Sequence, residues 1–265
     1  MAEKSDLTDS LRMRKDSPLQ STHHPPEGGA SDCISSSAEK IITTLTNPPL
    51  RGVGGRFSTA YLPPVSYYSA LLHAENVWLE ACENYVKQSY RNRCRIATAN
   101  GVETLSIPVE SGKGEKSPIR DVRISSHGGW QLTHWRAITS AYRNSPFFEY
   151  FEDDFRPFYE KGWTFLWDYN LDLLTLVLKL LDAQPKILLT KKYDANPLDT
   201  NDLREIIHPK KEPVFISKPY YQVFENKHGF LPDLSIIDLI FNMGNEAVLI
   251  LKPPKSPKWE LLGKY

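Results

Sequence analysis

The spacing of apolar positions divides the chain near residue 56. From Phe57 onward, apolar and polar residues alternate in runs that read as short strands and amphipathic helices. Phe57 to Leu62 is a strand candidate closed by Pro63-Pro64. Val65 to Ala74 follows with Tyr68, Leu71 and Leu72 on one helical face, and Val77 to Ala81 reads as the next strand. The domain is therefore expected to open β-α-β, the unit of a parallel pair. Tyr85 to Thr98, Thr104 to Val109 and Val122 to Ser125 look extended. The glycine-bearing stretch Ser111 to Ser117 reads as a hairpin connection between the last two.

Helical spacing dominates afterwards. Trp130 to Asn144 places Trp130, His134, Ile138 and Ala141 on one stripe, and Ser145-Pro146 ends it. Phe147 to Lys161 continues, and Leu171 to Leu181 is apolar on more than one face, as a buried helix is. Lys186 to Thr190 is a late strand, and Asp199 to Ile207 reads as a short helix stopped by Pro209. In the last helix Ser235 is the expected N-cap, Asp238 the residue of a shortened capping box, Leu234 and Leu239 a hydrophobic staple, and Gly244 the C-terminal stop. The expected fold class is α/β: a mixed sheet opening with a β-α-β unit, flanked by several helices and preceded by a disordered N-terminal tail.

Composition sharpens the boundaries. All the aromatic residues (6 Trp, 13 Tyr and 11 Phe) lie from Phe57 onward. Residues 1–55, with Pro25-Pro26, Gly28-Gly29 and Ser35-Ser36-Ser37, bury too little to offset ordering entropy, apart from a short amphipathic piece around Glu39 to Leu45. Residues 56–252 form the expected α/β domain, and 253–265 a Pro-rich basic tail. Lys plus Arg equals Asp plus Glu at 32 each, so no global field draws in nucleic acid or an acidic membrane. Three cysteines without a CxxC pair suit a reducing, cytoplasmic setting. The most apolar stretch is too short, and too often charged, to span a bilayer.

The chemistry concentrates around Lys87-Gln-Ser-Tyr-Arg-Asn-Arg-Cys-Arg95. If that segment is extended, Lys87, Ser89, Arg91, Arg93 and Arg95 share a face, with cations about 7 Å apart. Such a row is either a solvated face with surface ion pairs or an anion-binding groove, since arginine forks match phosphate and carboxylate. Glu80 and Glu83 precede it at a strand end, where open α/β sheets hold ligands. Glu83 is a general base or the ion-pair partner of Arg91. His134 is a hydrogen-bonded core histidine or a group that titrates for catalysis. Cys94 is expected to be buried rather than activated, because the flanking arginines point to the other face. No HExxH, GxSxG, P-loop or clustered Cys/His spacing occurs, so no metal site is expected from motifs, and the cofactor is unknown from the sequence.

Several of these segments carry a resemblance. Tyr61-Leu-Pro-Pro64, Glu83-Asn-Tyr-Val-Lys87-Gln-Ser-Tyr-Arg91-Asn92-Arg93, Asn100-Gly101, His134, Tyr142, Ser145-Pro-Phe-Phe-Glu-Tyr150 and Leu234-Ser-Ile-Ile-Asp238-Leu-Ile-Phe-Asn-Met-Gly244 resemble the WbqC-like family in order, over about 190 residues from Thr59 to Leu249. The resemblance implies a bacterial protein acting on or beside activated sugars in surface polysaccharide biosynthesis. It also implies a site drawn from Glu83 and His134 as catalytic candidates, and from Tyr61, Lys87, Arg91, Asn92 and Arg93 as substrate-binding ones. The family pattern carries an acidic pair where this chain has Glu83-Asn84, which weakens any two-carboxylate mechanism. Three functions follow. The first is a transferase holding a nucleotide sugar or acyl-carrier phosphate on the basic segment. The second is a nucleotidyltransferase-like enzyme, against which stands the absence of two signature histidines after Pro63-Pro64. The third is a non-catalytic binder of a protein or of nucleic acid, the latter disfavoured by the neutral charge.

Overall fold

The computed structural model describes residues 54–110, 116–198, 200–213 and 217–252. The expected tails lie outside these residues, except that Gly54 and Gly55 belong to the first strand; so does most of the 111–117 connection.

The opening β-α-β unit is present. Strand β1 (Gly54–Ser58), helix α1 (Val65–His73) and strand β2 (Val77–Glu80) follow in order, with β1 and β2 parallel from Gly55↔Val77 to Ser58↔Glu80. A hairpin of β3 (Arg93–Thr98) and β4 (Gly101–Ser106) comes next, paired antiparallel as a separate sheet. Helices α2 (Trp130–Tyr142), α3 (Phe148–Glu160) and α4 (Leu166–Leu180) precede β5 (Ile187–Leu189) and β6 (Thr200–Asp202). The short α5 (Glu225–His228), α6 (Ile236–Met243) and α7 (Ala247–Ile250) complete the described elements. The parallel strands stand in the order β5-β2-β1-β6. The chain thus steps outward from β1 to β2 to β5, then returns to the other side of β1. That reversal is a topological switch point, and it lies between β1 and β6.

Aromatic packing holds the helices together. Phe241 of α6 meets Tyr142, Phe148 and Phe155 at ring-centroid distances of 5.5, 5.1 and 5.4 Å. Each of these rings, once buried, contributes about 1.5–3 kcal/mol. The expected stripe of α2 is the buried one: Trp130, His134, Ile138 and Ala141 all face inward. Gly244 has φ of 54°, and a Cβ there would sit 2.7 Å from the Phe147 ring, so glycine is required twice over.

Three local expectations are corrected. Lys87–Asn92 is a series of turns rather than strand: Gln88 has a positive φ of 59° and the Ser89 hydroxyl donates to the Val86 carbonyl at 2.6 Å. Extension begins only at Arg93. Of the segment read as a helix at 199–207, the described part from Thr200 is β6 followed by turns. Ser235 occupies the N-cap position without capping; its hydroxyl donates to the Leu62 carbonyl at 2.7 Å. Asp238, also buried, accepts from Tyr220 and Gln222 at 2.7 and 2.8 Å instead of closing a capping box.

Candidate functional site

Because β1, β2, β5 and β6 are all parallel, their carboxyl ends share one edge of the sheet. Ionisable groups gather there. Glu80, the last residue of β2, is fully buried and accepts from Thr190 Oγ1 at 2.5 Å, Cys82 N at 3.0 Å, Arg204 Nη1 at 3.0 Å and Arg56 Nη1 at 3.4 Å. Arg204 also forks onto Asp202, with Nε to Oδ1 at 2.8 Å and Nη2 to Oδ2 at 2.6 Å, and lies over the Tyr193 ring. Beside them, Arg91 forks onto Glu83, with Nε to Oε1 at 2.9 Å and Nη2 to Oε2 at 2.5 Å. Ser58, the last residue of β1, is held between the two: it donates to Glu83 Oε2 at 2.9 Å and accepts from Arg91 Nη2 at 2.7 Å. Two buried charge clusters on one sheet edge are costly to assemble unless every lone pair finds a donor, which these nearly do.

A narrow cleft opens at the switch point itself. Ser58, Thr59, Tyr67, Arg91, Leu203 and Arg204 are among its walls, and its space is about 10 Å³, room for about one water. Burial pushes the Glu83 carboxyl above its ordinary range, although the Arg91 fork and the Ser58 hydroxyl oppose the rise. Burial also works against the Arg91 charge, and the bonds to Glu83 more than restore it. A carboxylate with raised basicity, hydrogen-bonded to a hydroxyl and oriented by a guanidinium, is equipped to take a proton from a nucleophile. Among the described residues no group of three or more His, Cys, Asp or Glu is arranged to hold a metal ion.

The structure thus joins Glu83 to Arg91, the ion pair the sequence offered as one of two readings of Glu83, and disperses the rest of the expected basic face. Lys87 is exposed on the turn. Asn92 is buried and donates to the Ile107 carbonyl at 2.8 Å, bracing the hairpin. Arg93 and Arg95 are half-buried on one face of β3, while Cys94 and Ile96 are buried on the other. Burial pushes the Cys94 thiol up, away from reactivity. Tyr61 and His134 meet elsewhere, in an aromatic cluster. Tyr61 OH lies 3.0 Å from both His134 Nδ1 and Tyr159 OH, and burial lowers the His134 pKa to about 4. Among the described residues, no hydrogen bond or ion pair is seen between His134 and Glu83 or Arg91.

Ser58, Thr190, Asp202 and Arg204 escaped the sequence reading. The last two fell inside the misread helix, whose Leu203, Ile206 and Ile207 imitate helical spacing. Ser58 had a signal that went unused: it lies at the end of a strand that begins a β-α-β unit, where ligands are held.

No solved structure matches this chain. An uncharacterised protein of Mycobacterium tuberculosis, Rv1507c, is 24% identical over 213 residues, an alignment spanning 71% of this chain and 92% of that protein. The model of the WbqC-like protein family matches residues 59–212, a stretch that carries Glu80, Glu83, Arg91, Asp202 and Arg204 together, and on that match the chain belongs to the WbqC-like protein family.

Proposed function

We propose that this protein is a cytoplasmic transferase-type enzyme of surface polysaccharide biosynthesis, working at the carboxyl edge of its parallel sheet on a phosphate-bearing donor such as a nucleotide sugar or acyl carrier. The observation that carries the reading is the Ser58–Glu83–Arg91 cluster, whose Ser58 and Arg91 line the cleft at the switch point between β1 and β6 while Glu83 is bonded to both from behind. Glu83 is the general base: the acceptor's hydroxyl or amine gives up its proton to Glu83, directly or through Ser58. The guanidiniums of Arg91 and Arg204, both in the cleft wall, face the donor's phosphate. Their charges are already partly balanced by carboxylates, so the site favours a ligand that brings its own hydrogen-bond acceptors over a free cation. Membership of the WbqC-like family supports the glycan setting. No described helix is long and apolar enough to cross a membrane.

A thermal-shift screen of nucleotide sugars, acyl carriers and polyphosphates tests the reading. A donor present at a hundredfold excess over its Kd should stabilise the protein by about 2.7 kcal/mol. Arg91→Lys keeps the charge and loses the fork, so it should weaken that ligand. Glu83→Gln should leave donor binding largely intact and abolish turnover. A screen in which no phosphate-bearing compound moves the melting curve would reject the proposal. So would variants that bind and turn over like the wild type.

A further inference from the structure

Arg91 has one more neighbour, unlike the others. Its Nη2 lies 3.6 Å from Glu205 Oε1; the Arg91 side chain is 3% exposed, whereas that of Glu205 is 60% exposed. The Glu83 and Ser58 contacts of Arg91 are short and buried, and this one is long and wet. Glu205 stands on the segment after β6, and that segment meets the Lys87–Asn92 turn at the protein surface. There Lys210 Nζ donates to Gln88 Oε1 at 2.6 Å, an exposed hydrogen bond beside the Arg91–Glu205 pair. Behind the junction, the cleft has space for about one water. The contacts across its mouth are thus exposed and weak, while the groups beneath are paired and buried.

We infer that Glu205 is a displaceable counter-ion. It occupies the anion subsite of the cleft in the closed state, and a phosphate or diphosphate group of the ligand exchanges with it on Arg91 as the two segments part. This inference rests on the anion-binding reading of the cleft given above. The exchange is favourable for a dianion in particular. His208 feels Glu205, Lys211, Lys210 and Arg91 together, so cations of the same segment lie within electrostatic reach of the subsite. Lys211 Nζ is tied to the Glu205 carbonyl at 2.7 Å and moves with it. Once the Glu205 carboxylate swings outward, Arg91 loses its outer counter-charge while Glu83 still balances it from beneath. Lys210 and Lys211 on the same segment add positive charge near the subsite. A monoanionic carboxylate would gain little over Glu205; a phosphate offers more charge and more acceptor oxygens.

The test titrates inorganic pyrophosphate by calorimetry into the full-length wild type, Glu205→Gln and Glu212→Gln, at low and at moderate salt. Glu212 is an exposed carboxylate on the same segment and controls for net charge. Removing a competing exposed ion pair should tighten pyrophosphate binding about two- to fivefold in Glu205→Gln, and less at higher salt. Glu212→Gln should bind like the wild type. Wild-type binding that is unchanged or weakened in Glu205→Gln would overturn the counter-ion role and leave the anion-binding cleft standing. An equal gain in both variants would reduce the effect to net charge and overturn it too. Absence of pyrophosphate binding in all three proteins would overturn the inference together with the reading it rests on. Melting curves of the variants, whose substituted side chains are exposed, confirm that each is folded.

Discussion

His134 shows how one buried side chain ties stability to pH. It is 4% exposed, packs edge-on to Trp130 at 5.1 Å, and shares a hydrogen bond with the Tyr61 hydroxyl, which also meets Tyr159. Burial lowers its pKa to about 4, below an ordinary value near 6.5. Between those values the unfolded chain binds a proton that the folded one refuses, so this residue's contribution to stability rises with pH across the window and is complete above about 6.5. Asp233 and Asp238 act oppositely. Burial raises each to about 6, so the folded chain holds their protons longer and their contribution falls as pH rises from about 4 to about 6. Over pH 4 to 6 the two aspartates together outweigh the histidine, so the three groups summed lower stability as pH rises. His134→Gln keeps a polar side chain and removes the titration. The stability of the wild type relative to the variant is expected to rise from pH 4.5 to pH 7 by about 2 kcal/mol. Denaturant titrations at three pH values measure it. A gap that stays constant would show that burial does not depress His134 and would reopen its use as a catalytic group. The sequence showed the stripe on which His134 lies and favoured the core reading, while keeping a site role open. What separates them is the Tyr61 hydroxyl, 73 residues away, which no local pattern reveals.

At the scale of elements, legibility followed period and length. The 13-residue α2 and α3 and the 15-residue α4 repeat their apolar positions for several turns, and their positions were readable to within a few residues. The three-residue β6 offers no such repetition, and the apolar residues after it imitate a helix. Lys87–Asn92 failed for a different reason: alternation along a short stretch cannot report the positive φ at Gln88 that breaks the strand. The start of α6 is the most instructive case, because the residue types were right and their partners were not. Ser235, 1% exposed, spends its proton on the Leu62 carbonyl, tying α6 to the Pro63-Pro64 turn before α1. Ser235→Ala should therefore cost about 1–3 kcal/mol through a buried acceptor left unpaired. Ser235→Asp separates the two roles. An N-cap tolerates aspartate well, whereas a carboxylate placed against the Leu62 carbonyl has no proton to donate. The aspartate variant should be at least as unstable as the alanine one in thermal melts. Recovery of stability by aspartate would restore the capping role.

At the scale of the whole molecule, Glu80 gathers the sheet. It is the only link the structure shows in which one carboxylate receives donors from around all four parallel strands among the described residues: Arg56 on β1, its own loop at Cys82 after β2, Thr190 after β5 and Arg204 after β6. The partners are separated by 24, 110 and 124 residues in the chain, which is why the sequence exposed Glu80 as a strand-end carboxylate and nothing of its network. Strand order, not composition, decides that these ends converge. A buried carboxylate with two arginines is poor insurance for stability in itself, since an apolar replacement of the whole set can be neutral. Removing one member is different. Glu80→Gln retains the shape and one acceptor oxygen, but its amide must face either the guanidiniums or the Thr190 and Cys82 donors, leaving donor against donor. The expected loss is about 3–5 kcal/mol in denaturant unfolding. Arg204→Met in the Glu80→Gln background should cost less than in the wild type, because the charge it removes has already lost one of its two carboxylate partners, with Asp202 remaining. Additive losses would mean that Glu80 and Arg204 act independently. A Glu80→Gln variant within about 0.5 kcal/mol of wild type would place the carboxylate among ordinary surface charges. Either result would detach the stability of the sheet from the charged edge on which the proposed site is built.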